Sequence, residues 1–390
     1  MDGSENEVQR TRRARVAIFA VFATNGFLMG LWVVHIPTVQ ERTGVSHPTL
    51  GSLLLVLALG AIAGMQLSGP LADRIGSARM VAAAGTILAA AAVGPALASN
   101  AWQLGLALAL FGFGNGALDV SMNAQAVLAE RRYGRPIMSA FHALFSIGGV
   151  AGSLAGAAAL GGALAPAATL GAGGAAGFVV VACATPSLLP SPRHHADTPP
   201  PGPRRRRPSG RVVALGALAF GLLLAEGAAN DWSTLQVKEE FGASDATAAF
   251  AFGAFSTTMT LGRFAADRVS HTLGPVAVVR YGCALAAVGI ALVATGLTLP
   301  LTLAGWALFG LGLSGGIPQI FTAAGNLQDG APGTDMSRVV GMGYVGLLAG
   351  PALIGWSAHV IPLTLAMVIP LFCVLAASAG ARIVRPRRAL

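Results

Sequence analysis

Residues 111–152 read FGFGNGALDVSMNAQAVLAERRYGRPIMSAFHALFSIGGVAG and decide the fold class of this chain. Two apolar runs flank a short basic turn, and each run has the composition of a helix. In the first run Asn115, Asp119 and Asn123 recur every four residues, so on a helix they form one polar stripe. An ionised carboxylate at the middle of a bilayer helix costs about 2.5 to 3.5 kcal/mol on insertion scales. We therefore expect the stripe to face the protein interior or water.

The second run repeats this arrangement on the next predicted helix. His142 and Ser146 keep the four-residue spacing. Gly148, Gly152 and Gly156 form a seam of small residues along which two helix backbones approach closely. The two runs together predict a pair of packed helices that form the wall of a solute pathway.

Composition places the whole chain in a membrane. Hydrophobic residues make up 54% of it and charged residues 11%, with a mean hydropathy of +0.68, whereas charged residues are about a quarter of a soluble protein. A spanning helix needs about 20 apolar residues. The sequence predicts an all-α membrane protein with twelve transmembrane helices in two six-helix, pseudo-symmetric halves. The spans are centred near Phe27, Leu59, Leu88, Gly112, Gly148, Leu170, Leu222, Gly253, Ala287, Leu308, Gly346 and Val368.

The distribution of basic residues predicts the topology. Of 25 Lys and Arg residues, only Arg42 and Lys238 fall on the side opposite to the termini, when Arg263 is counted with the turn after the eighth span. By the positive-inside rule both termini are cytoplasmic, which agrees with an even number of spans. We expect a multi-pass protein of the cytoplasmic (inner) membrane. Its basic loops contact lipid headgroups and imply no nucleic-acid partner.

The chain contains an internal duplication. Phe111 recurs as Phe309 and Gly148 as Gly346, each at an offset of 198 residues. Tandem six-helix repeats are the way in which many transporters build two halves. We expect cytoplasmic tails at 1–15 and 383–390 and halves at 16–185 and 211–382. Between the halves, the basic and proline-rich segment 186–210 is expected to be a mostly disordered cytoplasmic linker.

A short motif after the second span identifies a family. The run from Gly69 to Gly76 reads GPLADRIG and resembles the signature loop of the major facilitator superfamily, Gly-x-Leu-Ala-Asp-Arg-x-Gly followed by basic residues. A degraded copy after the eighth span contains Asp267, at an offset of 194 from Asp73. This resemblance implies a conformational-gate loop. Its expected members are Gly69, Asp73, Arg74, Gly76, Arg79, Asp267 and Arg268.

Further polar residues interrupt other apolar spans. Glu226 and Asn230 share a helix face in the seventh span, and Glu226 lies deep enough to remain in or at the edge of the hydrocarbon. The other candidates for the substrate path are Asn25, Asn115, Asn123, Gln319 and Tyr344. Asn25 fits a solute path as well as a bond to a neighbouring helix, and a buried Tyr344 equally well satisfies its own hydroxyl.

The fourth and fifth spans resemble the fucose permease branch of this superfamily and related bacterial inner-membrane permeases. The matching positions include Asp119, Asn123, His142 and Gly148. In that branch an acidic residue of the fourth helix takes part in proton coupling, and the resemblance gives this role to Asp119. The branch also has an acidic residue in the first helix, where this chain has Asn25.

These observations favour a secondary transporter. Asp119 and Glu226, one in each half, are the proton-coupling candidates, with His142 as a relay or hydrogen-bond partner. The first hypothesis is proton-coupled symport of a small polar solute, sugar-like or another metabolite. Proton-driven efflux of amphipathic compounds is the second, and a non-transporting receptor with the same fold is the third. In a variant of the first hypothesis, sodium is the coupling ion in place of the proton. The sequence has no cluster of metal ligands and no nucleophile paired with a base, so we expect neither catalysis nor a bound metal or cofactor. We also expect a functional monomer.

Overall fold

A computed structural model describes residues 2–190, 207–327 and 331–386 of the chain. Every regular element in these ranges is helical. The helices are α1 (Asp2–Thr43), α2 (His47–Ile75), α3 (Ser77–Ala91), α4 (Gly94–Leu97), α5 (Ala101–Tyr133), α6 (Met138–Gly161), α7 (Pro166–Ala184), α8 (Gly210–Phe241), α9 (Asp245–Leu273), α10 (Pro275–Thr295), α11 (Leu299–Leu313), α12 (Gly316–Gly325), α13 (Pro332–Ala358), α14 (Leu363–Ala366) and α15 (Val368–Gly380).

The predicted spans are present as helices. Eleven helical segments in the described ranges are long and apolar enough to cross a membrane. Three of them are composite, because α3 continues into α4, α11 into α12, and α14 into α15. The twelfth segment is α9, whose 29 residues include the charged Arg263, Asp267 and Arg268. Each of the twelve predicted centres falls within one of these segments, which confirms the all-α fold class.

The first helix is longer than its apolar run. The hydropathy pattern predicts a span that begins near residue 16, whereas α1 begins at Asp2. The reason is local, since Glu, Gln and Arg are strong helix formers and continue a helix that the apolar segment has nucleated. The Thr11 hydroxyl also donates to the Glu7 carbonyl at 3.0 Å. The predicted tail at 1–15 is therefore helical from Asp2 onwards.

The predicted linker and the second tail are only partly described. After α7 one 3₁₀ turn, Thr185–Ser187, ends the segment. Most of the predicted linker, residues 191–206 with Arg204, Arg205 and Arg206, lies outside the described residues, as do residues 387–390 of the predicted tail. A 3₁₀ turn at Ala381–Val384 follows α15 and precedes these last residues.

The chain forms two compact units. The first unit consists of Met1–Gly134, Leu144–Gly210 and Gln328–Ser337, and the second of Arg135–Ala143, Arg211–Leu327 and Arg338–Leu390. Each unit thus contains one repeat together with a short segment from the other repeat. In the first unit that segment holds the beginning of α13, and in the second unit it holds the beginning of α6.

Glycines set the helix packing of the first unit. A Cβ atom on Gly112 of α5 would collide with the carbonyl oxygen of Leu57 in α2, and one on Gly148 of α6 would collide with that of Ala23 in α1. Backbones therefore touch where small residues line the seam, as the sequence pattern predicts.

The second unit repeats these contacts at the equivalent glycines. Gly310 of α11 lies against the carbonyl of Phe255, and Gly346 of α13 lies against that of Phe220. In the Gly310 contact both residues are offset by 198 from their counterparts in the first unit. In the Gly346 contact the glycine is offset by 198 and its partner by 197. The duplication predicted from the sequence thus extends to equivalent helix contacts.

The two turns that follow α2 and α9 are also equivalent. Gly76 has φ 94° and Gly274 has φ 85°, a backbone region that favours glycine. The Gly76 N–H donates to Ala72 O and the Gly274 N–H donates to Ser270 O, each at 2.9 Å. One left-handed residue is enough to end each helix and start the next.

Candidate functional site

The predicted polar stripe on α5 is buried. Asp119 is 5% exposed, and Asn115 and Asn123 are also buried. The side-chain amide of Asn123 donates to the backbone carbonyl of Asp119 at 2.9 Å and to its Oδ1 atom at 3.3 Å. The helix places all three on one face, so a carboxylate lies between two amides inside an apolar helix. This is the arrangement that the four-residue spacing predicts.

Asn25 of α1 belongs to the same unit. It is 1% exposed, and its amide nitrogen lies 3.8 Å from the sulfur of Met122, which is a weak hydrogen bond. Its Oδ1 atom, like those of Asn115 and Asn123, has no hydrogen-bond partner among the described residues. Buried carbonyl oxygens are normally paired, so three such acceptors in one unit are suited to hydrogen-bond donors on a polar solute.

Glu226 and Arg263 form an ion pair in the second unit. The Arg263 Nη2 atom of α9 lies 3.7 Å from the Glu226 Oε1 atom of α8, and the side chains are 12% and 18% exposed. The sequence patterns do not single out Arg263, because it lies in the degraded motif that they assign to a cytoplasmic turn. The structure places it inside α9, ten residues before the helix ends. The signal that identifies it is a single arginine among apolar residues, four positions before Asp267.

His142 lies in the same unit as this ion pair. Its ring centroid is 5.8 Å from that of Phe321, with the rings tilted at 52°. The side chain is partly buried and within electrostatic range of Arg263. The structure therefore brings three sequence-distant residues, His142, Glu226 and Arg263, into one cluster of the second unit.

The remaining path candidates have different surroundings. Gln319 is buried, and its Oε1 atom accepts a hydrogen bond of 2.9 Å from the Ser270 hydroxyl, so its carbonyl already has a protein partner. Tyr344 is partly buried. Asn230 is exposed, although it lies one turn after Glu226.

The predicted gate residues lie in helices, not in a loop. Gly69, Asp73 and Arg74 belong to α2, and Arg79 belongs to α3. Asp267 and Arg268 belong to the last turns of α9. Only Gly76 occupies a turn, because one left-handed residue reverses the chain and leaves both flanking helices intact. Arg74, Arg79 and Arg268 are exposed.

The acidic residues of the motif cap the N-termini of other helices. In the first unit Asp73 Oδ1 accepts from the Gly333 N–H at 2.7 Å, and Oδ2 accepts from the Thr334 N–H at 2.8 Å and from its hydroxyl at 2.7 Å. In the second unit Asp267 accepts from the Ser139 N–H at 2.9 Å and from the Ala140 N–H at 2.8 Å. Each carboxylate thus satisfies two of the N–H groups that a helix N-terminus leaves unpaired.

The fold and these buried clusters define a class of protein, a polytopic helical carrier built from two repeats. The sequence model of the Major Facilitator Superfamily matches residues 16–229. An uncharacterized MFS-type transporter of Yersinia pestis is 32% identical over 380 residues, covering 97% of this chain and 98% of that protein. An uncharacterized transporter of Sinorhizobium fredii is 30% identical over 389 residues, covering 92% and 95%. The chain belongs to the Major Facilitator Superfamily and is a membrane transporter.

Solved structures give the same fold. A crystal structure of FucP, a Major Facilitator Superfamily transporter in the outward conformation, matches with a TM-score of 0.78 at 15% identity and covers 95% of this chain and 98% of that one. A second structure of this protein, described as the E.coli fucose:proton symporter, has a TM-score of 0.76. At this identity the likeness concerns the fold alone. The match to the sequence model and the identity to the Yersinia pestis transporter confirm the superfamily resemblance of the motif after the second span.

Proposed function

We propose that this transporter is a proton-coupled symporter that carries a small polar solute, sugar-like or another polar metabolite, across the cytoplasmic membrane by alternating access. The observation that carries the proposal is the burial of Asp119 within a spanning helix, with the Asn123 amide donating to its carboxylate. An acidic side chain inside a membrane span is expensive and marks a functional site by default.

The coupling follows from the charge of Asp119. An ionised carboxylate opposes movement into a site closed on both sides, because the low dielectric of the interior disfavours the charge. Protonation removes that charge and permits the change of access. The proton and the solute then cross in the same conformational cycle, and the proton gradient drives accumulation of the solute.

Buried amides form the proposed solute site in the first unit. Asn25, Asn115 and Asn123 present carbonyl oxygens that hydroxyl or amine groups of a polar solute can reach. Tyr344 and Asn230 are further proposed contacts. Gln319 is a weaker one, since Ser270 already donates to its carbonyl.

The second unit supplies the other proposed titrating groups. Glu226 is the second proton carrier, and His142 is its proposed hydrogen-bonding partner, with Arg263 beside both. FucP, which shares the fold, is described as a fucose:proton symporter, and this supports proton coupling over sodium coupling here. We further propose location in the inner membrane, cytoplasmic termini and a functional monomer.

A proton-flux assay tests the proposal. Energy-depleted cells that express the protein are suspended in weakly buffered medium while sugars, sugar acids, amino acids and amphipathic drugs are added in turn. We expect one solute class to alkalinise the medium, and we expect Asp119→Asn to abolish the signal while the protein still inserts. The exposed Glu41→Gln variant is the matched control. If wild-type protein stays silent across the panel, proton symport is contradicted, and proton-driven efflux or a sodium-coupled route becomes the better account.

A further inference from the structure

The Glu226–Arg263 pair lies deep within its two helices. Glu226 is 16 residues past the first residue of α8, and Arg263 is ten residues before the last residue of α9. At a rise of 1.5 Å per residue these positions are about 24 Å and about 15 Å from the respective helix ends. The pair is therefore part of the spanning region and not of a headgroup-level network.

The pair is loose. Its 3.7 Å separation exceeds the range of a hydrogen bond between nitrogen and oxygen, and both side chains keep some accessible surface. The charged group that faces the Glu226 carboxylate is the guanidinium of Arg263. An arginine guanidinium can donate two parallel hydrogen bonds to one carboxylate. At a separation of 3.7 Å, Arg263 and Glu226 do not form this bidentate pair.

Arg263 has a neutral neighbour on its own helix and a titratable neighbour on α6. Met259 lies one turn earlier, with its sulfur 3.8 Å from Nη2. The charged and titratable groups of the cluster are Glu226 from α8, Arg263 from α9 and His142 from α6. A guanidinium in such a place needs a counter-anion, because a buried charge without one is strongly disfavoured.

We propose that Arg263 binds an anionic group, specifically a carboxylate, on the transported solute. Glu226 and the solute carboxylate compete for the guanidinium. When Glu226 takes up a proton, its carboxyl group releases Arg263. The solute carboxylate then replaces Glu226 as the counter-anion of the guanidinium. The inference rests on the proposed proton symport and names the substrate class as a small polar monocarboxylate.

The charge balance supports this exchange. In the empty site Glu226 and Arg263 together carry no net charge. In the loaded site the proton on Glu226 and the negative charge of the solute again leave the cluster with no net charge. The cluster can therefore close in both states without trapping an unpaired ion. The proton on Glu226 balances the charge of the monocarboxylate, and the proton on Asp119 crosses in addition.

Binding to the purified full-length protein tests the substrate class. The probes are lactate, gluconate, glucuronate and shikimate, each compared with its neutral amide, and the readout is the shift in thermal unfolding temperature. We expect at least one acid to stabilise the protein and its amide to bind about tenfold or more weakly, the loss of one charged hydrogen-bonding pair. Binding of the acid should weaken as pH rises, because ionised Glu226 then holds Arg263.

Variants of the pair test the mechanism. Glu226→Gln should bind the acid at least as tightly as wild type, with the pH dependence lost. Arg263→Gln alone leaves the Glu226 carboxylate without this counter-charge inside the spanning region, so the double variant with Glu226→Gln is used to keep the cluster neutral. It should fold and lose the preference for the acid over the amide. Glu239→Gln on α8 and Arg42→Gln on α1 alter exposed charges and should leave that preference unchanged.

The outcomes separate this inference from the proposed function. In proteoliposomes the acid should accumulate in response to a pH gradient. An interior-negative potential set with potassium and valinomycin should increase that accumulation, because Asp119 carries a second proton. If neutral solutes drive proton uptake while none of the acids binds, symport stands and the role of Arg263 is overturned. If an acid binds through Arg263 but no solute moves with protons, symport fails and the anion site stands.

Discussion

The carboxylate of Asp73 accepts a 2.7 Å hydrogen bond from the backbone N–H of Gly333, a residue 260 positions later in the chain. Its second oxygen takes both the N–H and the hydroxyl of Thr334. The motif residue therefore acts as an N-cap for α13, supplied by a helix from the other repeat. Asp267 does the same for α6 in the second unit.

Removing the Asp73 cap should destabilise the first unit. Asp73→Ala leaves the N–H groups of Gly333 and Thr334 without their acceptor, and we expect a loss of about 1 to 2 kcal/mol, the range for N-cap residues. Asp73→Asn keeps one acceptor oxygen and should cost less. The measurement is the unfolding temperature of purified protein, with Glu41→Ala on α1 as the control. Equal unfolding temperatures for Asp73→Ala and Glu41→Ala would contradict the capping role.

Gly69 is expected to tolerate no side chain. A Cβ atom there would lie 2.5 Å from the carbonyl oxygen of Gly333, a backbone atom that cannot rotate away. Gly69→Ala should therefore destabilise the protein by roughly 1 to 3 kcal/mol through overpacking. Gly51 lies in the same helix with nothing within 4 Å, so Gly51→Ala should be neutral or stabilising by about 0.5 to 1 kcal/mol. The same thermal assay compares them, and a neutral Gly69→Ala would show that the helix ends do not pack this closely.

The Glu226–Arg263 pair should show strong coupling in stability. Arg263→Gln alone leaves a partly buried carboxylate without this counter-charge, and we expect a cost of about 1 to 3 kcal/mol. This is less than for a fully buried ion pair, because both side chains keep some accessible surface. Adding Glu226→Gln should recover much of that loss, because no isolated charge remains. A double-mutant cycle measured by denaturation gives the coupling. Additive effects of the two substitutions would mean that the side chains do not interact.

Much of the fold follows from the sequence alone. Apolar runs of spanning length locate all twelve helical segments, because a bilayer imposes both length and composition. The duplication is visible from Gly148 and Gly346, and the structure gives the two residues equivalent helix contacts. The stripe of Asn115, Asp119 and Asn123 follows from helix geometry and is buried as expected.

Sequence patterns do not predict which distant residues the motif aspartates bind. The caps join Asp73 to Gly333 and Asp267 to Ser139, and no local pattern encodes a partner so distant in the chain. Arg263 was assigned to a turn because a degraded motif surrounds it, and the helix continues past it because Gly274 is the residue that ends α9. Asn230 lies one turn after Glu226 in α8, as the spacing predicts, and it is exposed near the end of the apolar part of this helix.

The offset of the motif also has a structural explanation. Asp73 and Asp267 are 194 residues apart, whereas helix contacts in the two units are related by 197 or 198 residues. The capped residues Gly333 and Ser139 are likewise 194 apart. Relative to the helix contacts, the motif aspartate and the helix start that it caps are therefore displaced by the same amount, about one helical turn. The equal displacement preserves the cap in both units.

The measurement that tests the proposed coupling most directly is solute-dependent proton entry into proteoliposomes that enclose a pH-sensitive dye. With purified wild-type protein and the active solute outside, the account predicts that the lumen acidifies as the solute enters. In Asp119→Asn the acidification should disappear, while exchange of labelled for unlabelled solute persists. Acidification in Asp119→Asn at the wild-type rate would contradict the assignment of Asp119 as the proton carrier.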